Sequence, residues 1–143
     1  MLQNENLNYC ATIIEVKDLY QLEGLDNLVG VRALGCQALV DKTTQVGDIG
    51  VLFVSETQLS PEFAKVNNLY RKQEFNSDAS KTGYLEEKAR IKALKLRGNI
   101  STGLFLPLSS LDYLGYDFKV GDTFTHVNGK MVCQKYIIRE QSE

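Results

Sequence analysis

Short runs of β-branched and aromatic residues, each cut off by a glycine-bearing turn, recur along this chain, and that spacing narrows the possible folds more than any other feature. Residues 9–16 (Y-C-A-T-I-I-E-V) read as a first strand, and residues 28–34 and 37–40 as two more, separated at Gly35. Gln45-Val46-Gly47-Asp48 is a turn, and the apolar run 49–54 behind it suits a strand buried on both faces. Val120-Gly121-Asp122 repeats the tripeptide ahead of a strand-like run that begins at Thr123. The repeat is too short for a duplication and is explained by the same turn chemistry used twice. Residues 90–106 return to strand character, and a last strand is expected over residues 131–138, followed by a charged tail. Short strand, turn, short strand points to an all-β barrel or sandwich, not to βαβ units.

Two short helices punctuate the pattern. Ser60-Pro61-Glu62-Phe63 is a helix start, with Ser as N-cap, Pro at the first helical position and Glu in the first turn. Residues 109–115 read as a second, capped helix ending at Gly115. Between them, residues 67–82 turn polar and charged, as expected of a long excursion that stays mobile until something binds. The expected fold is therefore all-β with one or two short helices. Specifically, residues 1–143 form a single OB-like Greek-key barrel, with a long, partly helical insertion at residues 56–88. Such barrels bind oligonucleotides on a strand face and its loops, although fold alone does not assign function.

The formal net charge is −2, so any nucleic-acid site must come from local clustering of charge. No apolar run approaches the roughly 20 residues needed to cross a bilayer, and the polar start of the chain leads into no signal-peptide core. A cytoplasmic protein with no membrane partner is expected, in a host cytoplasm if the source is viral. Cys10, Cys36 and Cys133 are widely spaced with no C-x-x-C pair, which argues against disulfides and structural zinc and for small, buried or half-buried side chains. His126, the one histidine, sits in an alternating run and reads as a strand surface residue. No Ser-His-Asp arrangement or metal-ligand cluster marks a complete small enzyme.

Charge is unevenly placed. Between positions 71 and 97 lie eight basic residues, Arg71, Lys72, Lys81, Lys88, Arg90, Lys92, Lys95 and Arg97, against four acids, Glu74, Asp78, Glu86 and Glu87. That span carries +4 and the remainder of the chain −6, the footprint of a phosphate-binding face on an otherwise acidic protein. Tyr70, Phe75 and Tyr84 lie among these charges and could stack bases beside the cations. The competing reading is a solvated loop whose aromatics tuck back onto the barrel. In R-I-K-A-L-K-L-R-G, residues 90–98, Leu94 and Leu96 share one strand face and put Lys95 and Arg97 on the other. Ile91 is out of phase, so a bulge near Lys92 and Ala93 would turn Lys92 outward with them. Gly98 and Gly103, with Ser101 between them, allow close backbone approach to a ligand. Equally, the glycines could serve turns, Ser101 could cap a bend, and Arg90 could pair with Glu86 or Glu87. The segment is not a P-loop, because Leu104 and Phe105 follow Gly103.

The string R-I-K-A-L-K-L-R-G-N-I-S-T-G-L-F-L-P-L resembles a segment near the end of the N-terminal OB module in a class of ATP-dependent RNA ligases. The surrounding order is similar too: an opening A-T-I-I-E-V strand, a V-G-D turn into a buried strand, and a closing V-G-D…K-Y segment. The similarity spans almost the whole chain and is poorest over residues 56–83. It implies a module that precedes a nucleotidyltransferase domain and grips RNA at a nick or a 3′-hydroxyl duplex end. In that family a lysine in a Lys-x-Asp-Gly motif is adenylated by ATP, AMP passes to the RNA 5′-phosphate, and the 3′-hydroxyl displaces it. No lysine here lies in that motif. ATP and magnesium are thus implied only for a catalytic domain outside these residues. The chain is expected to bind no cofactor and to be inactive alone, as one domain or a truncated product of a longer protein. The resemblance places phosphate contacts first at Lys92, Lys95 and Arg97, then at Arg90, with Gly98, Ser101 and Gly103 beside them. Tyr84, Lys88, Arg71 and Lys72 complete the candidate set. The alternative is a stand-alone OB-type module that docks on a protein partner.

Overall fold

The computed structural model describes residues 2–83, 85–96 and 98–136, with residues 94 and 96 described by backbone alone. Its strands are β1 (Leu2–Gln3), β2 (Ala11–Glu15), β3 (Asp18–Gln21), β4 (Leu28–Ala33), β5 (Cys36–Asp41), β6 (Ile49–Val54) and β7 (Thr57–Leu59), then, after helix α1 (Pro61–Val66), β8 (Leu94–Leu96), β9 (Asn99–Ser101), β10 (Gly103–Pro107), β11 (Thr123–Phe124), β12 (His126–Val127), β13 (Lys130–Met131) and β14 (Cys133–Lys135). Two 3₁₀ turns, Gln73–Phe75 and Leu108–Leu114, complete the elements. A seven-stranded mixed sheet runs β11-β2-β6-β10-β5-β4-β3, antiparallel except where β10 meets β5 in parallel at Gly103 and Ala38. The fold is all-β and OB-like.

Alternation along the central strands separates two cores. Ile14, Leu52, Val29, Val31, Ala38 and Val40 gather on one face, with Phe105 against them. Ile13, Val51, Phe53 and Leu104 face the other way, where Phe63 of α1, Leu111, Phe118, Phe124 and Val132 cover them. Phe63 is fully buried and meets Phe53 edge-on, with ring centroids 5.4 Å apart. The helix that carries it starts as its residues dictate, since Ser60 Oγ accepts a hydrogen bond from the Phe63 amide at 3.1 Å.

The two Val-Gly-Asp turns are geometric copies. Gly47 and Gly121 both take φ near +100, a left-handed value that favours glycine. Asp48 Oδ2 accepts from the Gln45 amide and Asp122 Oδ2 from the Lys119 amide, each at 2.9 Å. The Gly47 amide donates to the Val16 carbonyl and the Gly121 amide to the Ile13 carbonyl. Both turns therefore dock on the β2 segment and feed β6 and β11 onto its two sides.

Several expectations change. The strand character expected over residues 90–106 is divided among β8, β9 and β10, after irregular residues 91–93. Residues 67–82, expected to leave the barrel, fold back into the larger core, with Leu69 8% and Tyr70 6% exposed. Asn76 binds this segment from within, accepting from the Tyr70 amide and donating to the Tyr70 and Lys81 carbonyls. The helix expected over 109–115 is a 3₁₀ turn that begins one residue earlier, at Leu108, and ends on left-handed Gly115. Strand β3 was not foreseen, because D-L-Y-Q holds no β-branched residue. Residues 137 and 138 of the expected last strand lie outside the described residues. Among the described residues no helix is long and apolar enough to cross a membrane.

Candidate nucleic-acid interface

Tyr84 and Arg97 lie outside the described residues. The other candidates fall into three local arrangements. In the first, Arg71 pairs with Glu86 at 3.1 Å and Lys72 with Glu87 at 2.9 Å, all four largely exposed. The Lys72 ammonium also stands 5.7 Å from the centre of the Phe75 ring. The hydrogen bond from Lys72 holds the Glu87 carboxyl below its ordinary range, and the same bond raises the lysine. Tyr70 packs edge-on against Phe75 and is buried. Its ring belongs to the core, and burial raises its hydroxyl pKa.

In the second, Arg90 does not pair with Glu86 or Glu87. Its Nε and Nη2 donate to Glu56 Oε1 at 3.0 and 2.7 Å, and its guanidinium lies 4.5 Å from the centre of the Tyr136 ring. The reason lies in the backbone: Arg90 bridges to Gln58, and the Ile91 carbonyl accepts from the Glu56 amide. These contacts draw the arginine to the residues ahead of β7. Sequence distance hid that neighbour.

The third arrangement is the hairpin of β8 and β9, in which Leu96 pairs with Asn99. Gly98 takes φ +84 there, so its glycine serves the turn, and a side chain at that point would meet open space. Lys95 is exposed on β8, and Lys92 is exposed on the irregular segment before it. Ser101 is only 7% exposed and its Oγ donates to the Gly103 carbonyl at 3.0 Å. Gly103 is buried, where a Cβ would stand 3.1 Å from the Phe53 carbonyl oxygen. Both have structural jobs, a bend cap and a close strand approach, and neither presents a surface to a phosphate.

Charge pairing thus sorts the cations. Arg71, Lys72 and Arg90 are each committed to a carboxylate. Among the described residues, the exposed lysines 88, 92 and 95 carry no ion pair. Lys88 is fixed by its backbone, whose carbonyl accepts from Gln58 Nε2. The hairpin is held by Gln37, a residue that sequence reasoning did not single out. Gln37 Nε2 donates to the Ile100 carbonyl at 2.7 Å, and the Thr102 amide donates to the Gln37 carbonyl at 2.8 Å. Lys95 on the anchored hairpin, and Lys88 and Lys92 on the segment that leads into it, can track phosphates without first giving up an acid partner. Among the described residues no group of three or more His, Cys, Asp or Glu could hold a metal ion.

No protein-family model matches the chain, and no curated protein matches it. Solved structures of a Naegleria gruberi RNA ligase do. Against that ligase with PPi, 92% of this chain superposes on 36% of the other, with a TM-score of 0.65 and 22% identity. Against a mutant of the same ligase with ATP and Mn the values are 91%, 36%, 0.62 and 22%. A second mutant, with AMP and Mn, gives 88%, 34%, 0.60 and 22%. The chain spans about a third of those ligase chains, and over that third it shares the fold of an RNA ligase.

Proposed function

We propose that this chain is an OB-like, nucleic-acid-engaging module of an ATP-dependent RNA ligase, which works ahead of a nucleotidyltransferase domain to hold and orient RNA ends. The observation that carries the reading is the shared fold with an RNA ligase over 92% of the chain. The R-I-K…K-L-R-G…S-T-G-L string at 90–104 and the unpaired lysines around it support the same assignment. Lys92, Lys95 and Arg97 are the first phosphate contacts in this reading, and Lys88 adds to them. Arg71, Lys72 and Arg90 join only by exchanging a carboxylate for a phosphate. For the exposed pairs of Arg71 and Lys72 that exchange costs little. ATP and magnesium belong to the catalytic domain. These 143 residues contain no Lys-x-Asp-Gly lysine to adenylate, so the chain alone is proposed to be without ligase activity. The setting is the cytoplasm.

Fluorescence anisotropy with nicked duplex RNA bearing a 3′-hydroxyl tests the reading. The chain should bind, and the Lys92→Glu, Lys95→Glu double variant should bind about tenfold more weakly or worse. Equal affinity of the two proteins would overturn the assignment of the hairpin. No RNA affinity, together with co-purification with a nucleotidyltransferase, would replace the reading with that of a protein-docking module.

A further inference from the structure

The outer face of strands β3, β4 and β5 carries Tyr20, Arg32 and Gln37 side by side. Tyr20 pairs with Gly30 across β3 and β4, and its ring rim lies where a Cβ on residue 30 would be only 2.5 Å away. Gly30 is therefore a seat for the ring. The Arg32 guanidinium, two residues along the same face, stands over Tyr20, 5.6 Å from the ring centre. Asp18 lies directly across from Arg32 in the strand register, yet the arginine faces the ring, and among the described residues it makes no ion pair. The Tyr20 hydroxyl donates to Gln37 Oε1 at 2.5 Å, and the amide nitrogen of that same Gln37 holds the Ile100 carbonyl. Ile100 pairs with Lys95 in the hairpin. Gln37 thus joins a half-buried aromatic, with an exposed arginine over it, to the backbone of the hairpin that carries the exposed Lys95.

The edge of that surface is also unusual. Leu34 and Gly35 form the two-residue turn between β4 and β5, with φ +53 and +76. A leucine in the left-handed region is strained, and this one is 60% exposed. Ile100, beside Gln37, is 50% exposed. Two apolar side chains held in water flank the aromatic–cation pair. Each leaves half or more of its surface in water, and that exposed part adds nothing to folding.

We propose that Tyr20 and Arg32 form a base-stacking subsite for single-stranded RNA, continuous through Gln37 with the phosphate-tracking hairpin at Lys95. Bases stack sequence-tolerantly on such aromatic and guanidinium surfaces while cations follow the backbone. The inference rests on the proposed RNA-binding function and adds a strand path: from Lys95 across Gln37 onto the β3–β4 face. An RNA end leaving a nick would be steadied there by its unpaired bases.

The test is binding of a single-stranded RNA oligonucleotide carrying 2-aminopurine, whose emission is quenched by stacking. Arg32→Gln and Tyr20→Leu should each lower affinity about tenfold, and Tyr20→Leu should abolish the quench. Tyr20→Phe keeps the cover over Gly30 and the π surface, so it should bind and quench like the parent. Far-UV circular dichroism checks that Tyr20→Leu folds; if it does not, Arg32→Gln alone decides. Binding that depends on Lys95 but is unaffected by Arg32→Gln, with no quench, would overturn the subsite and leave the proposed function standing. If the parent chain binds no RNA, both fall.

Discussion

Replacing Asn76 by alanine should destabilise the whole domain, and the size of the effect follows from its partners. The side chain is 5% exposed and makes three hydrogen bonds, to the Tyr70 amide at 3.0 Å, the Tyr70 carbonyl at 3.0 Å and the Lys81 carbonyl at 2.8 Å. The Tyr70 carbonyl keeps a second donor, the Gly83 amide, and the Lys81 carbonyl sits nearer solvent. The buried Tyr70 amide loses its partner outright. An orphaned buried donor costs about 1–3 kcal/mol, and the lost bonds to the carbonyls add about 0.5–1.5 kcal/mol. The expected loss is then about 1.5–4.5 kcal/mol, which for a chain of this size lowers Tm by roughly 5–15 °C. Urea unfolding followed by circular dichroism measures it, with the m-value unchanged if only stability moves. Because Leu69, Tyr70 and Leu85 belong to the larger core, unfolding should remain one transition. A loss below about 0.5 kcal/mol would refute the account of how residues 67–83 are tied down.

Three further outcomes are expected. Glu86→Gln with Glu87→Gln frees Arg71 and Lys72, so RNA affinity should rise and the salt slope should steepen by up to about 0.9 per released cation, while Tm hardly moves; unchanged affinity would remove both cations from the interface. The carboxyls of Asp41, Asp78 and Glu87 are held below their ordinary values of 3.8, 3.8 and 4.5 by the Thr43 amide, the Ser80 hydroxyl and the Lys72 ammonium. The unfolded chain therefore takes up protons first, and stability present above those values should be lost as the pH falls through and below them; a flat Tm over that range would contradict the sign. Burial pushes the Cys133 thiol up to about 12, and Cys10 is also buried, so Ellman's reagent should find one fast thiol, Cys36. Three equal rates would contradict the packing.

Local chemistry was legible in the residues, whereas pairing between distant residues was not. Ser60-Pro61 and both Val-Gly-Asp turns could be read from a few neighbouring residues, and they fold as those residues require. Ile91 breaks the alternation of Leu94 and Leu96 in the sequence, and the backbone there is three irregular residues, 91–93, ahead of β8. Arg90 reads as a phosphate contact or, failing that, a partner of Glu86 or Glu87, while its partner in the fold, Glu56, lies 34 positions away and is brought close by the Gln58 bridge. Tyr20 and Arg32 passed unnoticed because their contact depends on the β3–β4 register, and β3 has little strand propensity. Gly30 was the one available clue, since a glycine within an apolar strand often marks close approach by another group. Polar composition misled over residues 67–82 because the decisive groups there are few: Leu69, Tyr70 and the buried amide of Asn76.

The most direct test of the central claim is the salt dependence of binding to nicked duplex RNA. If Lys88, Lys92, Lys95 and Arg97 each neutralise one phosphate, log K falls against log salt with a slope of about −3.6, a loss of about 150-fold between roughly 50 and 200 mM. That steepness, reduced in the Lys92→Glu, Lys95→Glu variant, is the predicted result. A slope near zero, or no binding even at about 50 mM salt, would contradict the assignment of this module to RNA.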